Sequence, residues 1–330
     1  MRRCLVLLFL LGCTPKDQSP AEIIFVNDKA VGVLLEGSDT LSVFIEGSPY
    51  RILGTISPNG DRILFSPAVP FQPGQTYRTS TGLSFSVPVD TTLQSPLLLG
   101  SFPSCDTVPS NLLKMYLQFS GPMSEGKSSQ YVQLFDATTG DTVKNAFLDL
   151  QPELWNEDGT VLTLWLDPGR IKQDLIPNKK LGVVMKDNNK YRLNVAKGWR
   201  SKNGLGLKQD YSRTFVASKR DVTKPDIRSW NVDVKGDTVV LGLNEALDWS
   251  LLHSTISLDD ALPKTITEPC ERKIFMFFGK LSPGDHTLTI ESRLEDLAGN
   301  NLNRLFETDV TTPSNNSQAK DVYTLPFHVK

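Results

Sequence analysis

Histidine occurs three times and cysteine four times in 330 residues, and neither is clustered. His253, His286 and His328 have no His or Cys neighbour at metal-ligand spacing, so no zinc-type site is expected. Long apolar runs are missing as well. The longest, around Leu5–Leu11, falls far short of the roughly 20 residues a spanning helix needs. Neither sign of charge dominates: 35 Lys and Arg face 37 Asp and Glu, for a net charge of −2. There is no basic run with interleaved aromatics, so no field draws in nucleic acid and no nucleic-acid partner is expected. Gly-x-Ser-x-Gly, His-Glu-x-x-His, the phosphate loop and Gly-x-Gly-x-x-Gly are all missing. An enzyme with a dispersed site would carry no such motif, and it stands as the third reading behind two non-catalytic ones. Helical periodicity is scarce too. Only Ile171–Leu175 looks like a brief helical turn, and no stretch of about 12 residues holds a clean 3.6-residue period.

A hydrophobic content of 39% and a charged content of 22% describe a globular chain long enough for two or three domains. At the start, Arg2 and Arg3 form a basic segment and Leu5–Leu11 an apolar one. They are followed by Leu10-Leu11-Gly12-Cys13, which resembles the lipobox of bacterial lipoproteins. The resemblance implies that residues 1–12 are a signal peptide and that Cys13 becomes a lipidated N-terminus. Diacylglyceryl plus an N-acyl chain, of the palmitate kind, would give multiple-chain anchoring. Residues 13–20, polar and containing Pro15 and Pro20, read as a tether. Thr14 rather than Asp follows Cys13, which points to the outer membrane, on its surface or periplasmic face.

The body reads as all-β. Short alternating stretches such as Leu41–Ile45, Val161–Leu166 and Thr238–Leu243 are bounded by Gly, Pro, Asn and Asp. Two units share a strand, a Pro-Gly turn and a second strand: Ile63–Pro67 with Pro73-Gly74, and Ile274–Phe278 with Pro283-Gly284. In a middle unit Asn188-Asn189 takes the place of the Pro-Gly turn. A second shared element is a strand whose following turn returns one apolar residue to the core, Met123 in Phe119-Ser120-Gly121-Pro122-Met123 and Leu247 in the corresponding turn. The Phe119–Met123 turn and the closing Leu294–Asn300 segment resemble bacterial Ig-like domains of the S-layer-protein type. That resemblance implies tandem Ig-like β-sandwich domains and brings no catalytic residues with it. The expected organisation is a small β domain over 21–90, possessing only the Pro-Gly turn of the pattern, then Ig-like sandwiches over 91–219 and 220–330. A final edge strand is expected around Val322–Val329, where Pro326 cannot donate to a ladder.

Few residues invite a functional reading. Asp296 and Asn300 offer oxygens suited to Ca²⁺, with Asp221 and Asp226 of the linker as further donors. The competing reading is a turn in which Gly299 and Asn300 take special backbone angles. No other cofactor is expected. Trp155 and Trp199 lie beside polar, Gly-containing stretches and are the candidates for a glycan-stacking platform; the competing reading for each is core packing. Trp165 is expected in the core. Cys105 and Cys270, in different domains, are expected as two separate buried thiols rather than a bridge. Asn315-Asn316-Ser317 matches a glycosylation sequon and is expected to be only a loop. The function expected from all this is a non-catalytic, lipid-anchored envelope protein whose Ig-like domains bind or space. The alternative is an accessory or adhesin module with a specific glycan or protein partner.

Overall fold

The structure is a computed structural model, and residues 21–27, 29–37, 40–172, 175–307 and 319–330 are described. The lipobox with Cys13, and the Asn315 sequon, lie outside the described residues. Among the described residues no helix is long and apolar enough to cross a membrane. Two compact units are present: one is built on residues up to Leu93, the other takes in Gln94–Ser201 and Leu205–Lys330.

The first unit has seven strands: β1 (Glu22–Val26), β2 (Lys29–Leu35), β3 (Val43–Ile45), β4 (Gly54–Asn59), β5 (Arg62–Pro67), β6 (Thr76–Thr79) and β7 (Ser84–Ser86). They form two sheets, β1-β2-β5-β4 and β3-β6-β7. First-second-fifth-fourth against third-sixth-seventh is the strand order of a constant-type immunoglobulin sandwich. The alternation explains which face is covered. Ile63 and Phe65 of β5 are buried, while their neighbours are only half-buried. Phe71, Tyr77 and Phe85 close the core, with Phe71 and Tyr77 ring centroids 4.7 Å apart. The Pro73-Gly74 turn forms as its chemistry dictates: Gly74 has φ +71° and the Gln75 N–H donates to the Gln72 carbonyl at 3.2 Å. The buried Tyr77 hydroxyl then accepts from the Gln72 N–H at 2.7 Å, tying the turn to the core. The first domain is therefore Ig-like although it has none of the Phe119–Met123 pattern.

The second unit holds two more sandwiches. The earlier one comprises β8 (Leu98–Phe102), β9 (Thr107–Pro109), β10 (Lys114–Phe119), helix α1 (Ser128–Tyr131), β11 (Val132–Asp136), β12 (Leu154–Trp155), β13 (Val161–Trp165), helices α2 (Pro168–Ile171) and α3 (Ile176–Leu181), β14 (Lys190–Val195) and β15 (Tyr211–Ser218). Its sheets are β12-β13-β10-β8 and β11-β14-β15-β9, with β9 parallel to β15. This is the same order with one added strand. The later sandwich runs β16 (Asn231–Lys235), β17 (Thr238–Gly242), helix α4 (Trp249–Leu252), β18 (Ile256–Leu258), β19 (Lys264–Thr267), β20 (Lys273–Phe277), β21 (Gly284–Glu291) and β22 (Val322–Val329). Its sheets, β16-β17-β20-β19 and β18-β21-β22, repeat the order of the first domain. Strand β22 pairs with β21 over its full length and leaves Pro326 on an edge.

Met123 and Leu247 are fully buried, each at an isolated β-bridge, to Ser201 and Asp296 respectively. The shared turn thus does one job in both domains: it folds an apolar plug over the end of the sandwich. Leu112, Leu117, Leu162, Leu166 and Leu193 share the same closed core. Truncation of any one to alanine would cost roughly 3 kcal/mol.

Candidate functional site at the joint of the second unit

The two sandwiches of the second unit are joined by covalent and polar contacts. Cys105, after β8, and Cys270, in a 3₁₀ turn before β20, form a disulfide with Cα atoms 4.1 Å apart. This corrects the expectation of two separate thiols. A gap of 165 positions says nothing of distance in space, and the two loops meet where the domains abut. Around the bridge, the Ser104 N–H donates to both carboxylate oxygens of Glu271 at 2.9 and 3.0 Å, and the Cys270 N–H donates to the Ser104 hydroxyl at 2.7 Å. Glu271 is fully buried, and burial raises its pKa against these bonds and the Arg213 charge. Arg213 in turn donates to the Ser101, Pro103 and Cys105 carbonyls.

A second contact lies beside it. The Tyr116 hydroxyl of β10 donates to Asp248 at 2.7 Å, and Lys114 Nζ reaches Glu295 at 2.7 Å and Asp248 at 3.4 Å. Asp248 also caps α4 by accepting from the Leu251 N–H at 2.9 Å. Burial works against the charged Lys114, but Asp248 and Glu295 outweigh it and raise its pKa. Phe102 stacks on Trp249 with centroids 4.3 Å apart and planes 10° off parallel. Asn111 exchanges two hydrogen bonds with the backbone of Asp221 at 2.8 and 2.9 Å. Ala246 and Leu297 of the later sandwich pack into the core of the earlier one. Tyr116→Phe keeps the shape and removes one donor from a buried carboxylate, so chemical denaturation should show a loss of about 2 kcal/mol. A loss near zero would mean that the contact is idle.

Between these contacts opens a cleft of about 410 Å³, whose lining includes Asp221, Glu245, Ala246, Arg272 and Leu297. Asp221, Glu245 and Asp296 place carboxylate oxygens within 4.8 Å of one another. Asp296 is 2% exposed. Its Oδ1 accepts from the Ala298 and Asn300 N–H groups and its Oδ2 from Asn300 Nδ2. Burial nevertheless pushes it up to about 7, with the Asp221 charge adding to the effect. Burial and then Asp221 push Glu245 to about 7 as well, opposed by Arg272. Near neutral pH Glu245 and Asp296 are therefore only partly ionised. Chemically the three groups offer three oxygens, where calcium takes 6–8.

The expected donor set is only partly assembled here. Asp296 and Asp221 meet, joined by Glu245, which sequence reasoning did not single out. Asn300 does not face the cluster as a ligand: its amide donates to Asp296 and its Oδ1 accepts from the Phe306 N–H at 3.0 Å. It shapes the turn, with Gly299 at φ +84°. Asp226 is paired with Arg228 at 2.8 Å, on the surface. Only the equivalence of the turns holding Glu245 and Met123 hinted that Glu245 sits at a domain end.

The tryptophans are corrected more sharply. Trp199 is 0% exposed, donates through Nε1 to the Ser124 carbonyl at 3.0 Å, and stacks on Tyr131 with centroids 6.0 Å apart. Trp155 is half-buried against it, at 5.7 Å and edge-on, with Nε1 donated to Glu153 at 2.8 Å. Trp199 offers no open face to a sugar, because the turn formed by its polar, Gly-containing neighbours folds the ring inward. Trp165, expected in the core, is half-buried with Lys114 Nζ 5.3 Å above its ring.

No family model matches the chain, and no curated protein matches it. Among solved structures it is similar to the N-terminal part of the bacterial S-layer protein SbsC, at 10% identity and a TM-score of 0.27. That match covers 59% of this chain and 40% of the other, so the chain spans well under half the length of that structure. It is also similar to the FN1–FN3 domains of chicken CNTN1, at 10% identity and a TM-score of 0.22, covering 85% and 93%. A third is SGBP-B of the Bacteroides ovatus mixed-linkage glucan utilization locus, solved with a mixed-linkage heptasaccharide, at 11% identity and a TM-score of 0.21, covering 88% and 64%. The fold assignment itself rests on the strand order of the three sandwiches.

Proposed function

We propose that this chain is a non-catalytic, lipid-anchored protein of the bacterial envelope. Cys13 holds the membrane, residues 14–20 give reach, and the tandem Ig-like domains bind or space at the surface. The observation that carries the spacing role is the joint of the second unit. A disulfide, buried carboxylates with matched donors and the packing of Ala246 and Leu297 into the earlier core turn two sandwiches into one stiff body. A hinged carrier of two independent binding modules would need none of these. Outside the Asp221–Glu245–Asp296 cluster, the acidic groups at the joint have structural partners: Asp248 has Lys114 and Tyr116, Glu295 has Lys114, and Glu271 has Ser104. That use of the titratable groups supports a structural role rather than catalysis. The adhesin reading, with an envelope glycan or protein as partner, loses Trp199 and keeps the half-buried Trp155 and the loops.

Fractionation of cells expressing the wild type and Cys13→Ser tests the anchor. Wild type should label with palmitate and sediment with the outer membrane, and Cys13→Ser should do neither. A Cys13→Ser chain that stays membrane-bound and lipid-labelled would end the proposal. Protease added to intact cells then separates the two faces. Digestion without lysis places the domains outside, and protection until lysis places them in the periplasm.

A further inference from the structure

Strand β11 is the edge of its sheet, and most of its free side is covered. The Ala196 N–H donates to the Tyr131 carbonyl at 3.0 Å and the Ala137 N–H to the Lys190 carbonyl at 2.9 Å. In the antiparallel register of β11 with β14, the odd-numbered residues therefore pair with β14, and the even-numbered ones turn their N–H and C=O to the open side. There the Asp136 N–H reaches the Asp141 carbonyl at 2.9 Å, and the Leu134 carbonyl accepts from the Val143 N–H at 2.8 Å. The Val132 N–H is taken by the Ser128 carbonyl of α1. Two groups are left over. The Val132 carbonyl and the Leu134 N–H have no partner among the described residues.

A groove of about 260 Å³ lies along this stretch of β11, and Arg170 helps to hold it open. By the register of Leu134 with Val143, Asn145 would be the next partner, opposite Val132. Instead the buried Arg170 guanidinium holds the Asn145 carbonyl at 3.0 Å and the Lys144 carbonyl at 2.8 Å. The chain turns away at Asn145, which has φ +49°, and the Leu148 N–H joins the Trp165 carbonyl of β13, in the other sheet, at 2.8 Å. The crevice so formed between the sheets has an apolar floor of Val132, Leu134, Ala146 and Leu164, all members of the sandwich core. Its lining carries one Lys144 and one Asp149, and so no net charge.

We propose that this groove takes an extended peptide segment of a partner protein as an added strand on β11. The Val132 carbonyl and the Leu134 N–H flank a single position. One residue running parallel to β11 satisfies both, donating its N–H to Val132 and accepting from Leu134. Its own side chain then points outward with the exposed Gln133, and the side chains before and after it enter the crevice, as those of Val132 and Leu134 do. Small apolar side chains suit that floor, and an uncharged main chain suits the neutral lining. An acyl chain would leave the donor and the acceptor covered without partners, which costs free energy. A sugar would press hydroxyls against the apolar floor.

The test uses the isotope-labelled, full-length Cys13→Ser chain and a blocked peptide, acetyl-Val-Thr-Val-N-methylamide. At saturation the peptide should move the Leu134 amide resonance and slow the hydrogen exchange of that N–H at least about tenfold. Methylating the Thr nitrogen of the peptide removes the donor to Val132 and should weaken binding about tenfold. Ala146→Leu fills the crevice and should weaken binding at least as much. Should that variant fail to fold, the comparison of the two peptides decides the matter alone. No change at Leu134, or equal binding of the two peptides, would overturn the inference. So would a dimer in light scattering that Ala146→Leu dissolves, because the free edge would then belong to a second copy of the chain. Failure of palmitate labelling would end the anchoring proposal and leave this result untouched.

Discussion

Replacing Cys105 and Cys270 together by serine should destabilise the second unit by roughly 3–5 kcal/mol. The wild-type unit should melt in a single calorimetric transition and the double variant in two. The bridge spans 165 positions of sequence, so in the unfolded chain it closes a long loop and removes much conformational freedom. Besides the linker backbone, it is the one covalent tie among the described residues between two sandwiches that each have their own core. Without it the joint depends on Ser104–Glu271, Tyr116–Asp248 and the Phe102–Trp249 stack, which are additive at best. Differential scanning calorimetry of the double variant, with the reduced wild type alongside, measures both effects. A variant that melts in one transition at the wild-type temperature would show that non-covalent contacts alone couple the domains. The stiff body proposed above would survive that outcome, but the disulfide would not be its cause.

Stability should fall as pH rises from about 4.5 to 7. Glu245 and Asp296 titrate near 7 in the folded chain and near their ordinary values once unfolded. Between those values the folded state holds protons that the unfolded state has released, so raising the pH favours unfolding. The full cost is present above pH 7 and absent below about 4. Glu245 is partly exposed to solvent, which discounts its share to on the order of 2 kcal/mol. Asp296 adds a cost of the same sign, since burial and Asp221 raise it as well. Glu245 faces Asp221 and Arg272, while Asp296 faces Asp221 and Asn300. Glu271, also raised by burial, adds a slope of the same sign, so the assignment rests on a difference between proteins. Glu245→Gln should gain about 2 kcal/mol over wild type at pH 8 and close to nothing at pH 4.5, read by urea unfolding. Equal slopes in the two proteins would remove Glu245 from the explanation. Stability that rose between pH 4.5 and 7 would reverse the sign of the whole argument.

The strands, the Pro73-Gly74 turn and the buried plugs Met123 and Leu247 were legible because each follows from local chemistry, whereas Gly284 begins a strand. Alternation with period two marks one covered face, Pro and Gly set the turn angles, and an apolar residue stranded in a polar turn has to find a core. The first domain lacked the recognisable turn, yet its strand order is that of the third. Alternation and turns suffice to specify a sandwich without any particular motif. Glu245 beside Asp296, Cys105 on Cys270, and the closure of Trp199 were decided only by tertiary structure. Each depends on where two segments far apart in sequence come to rest. Trp199 shows the difference plainly. Its Lys-Gly and Arg neighbours suggested a surface, but the turn they form folds the indole inward, where Ser124 takes its N–H. The sequence by itself determined an all-β chain of repeated sandwiches, because strand and turn preferences act over a few residues. The tertiary structure decided that two of them fuse into one body and where its buried charges meet, because burial and charge pairing act between residues that only the fold brings together.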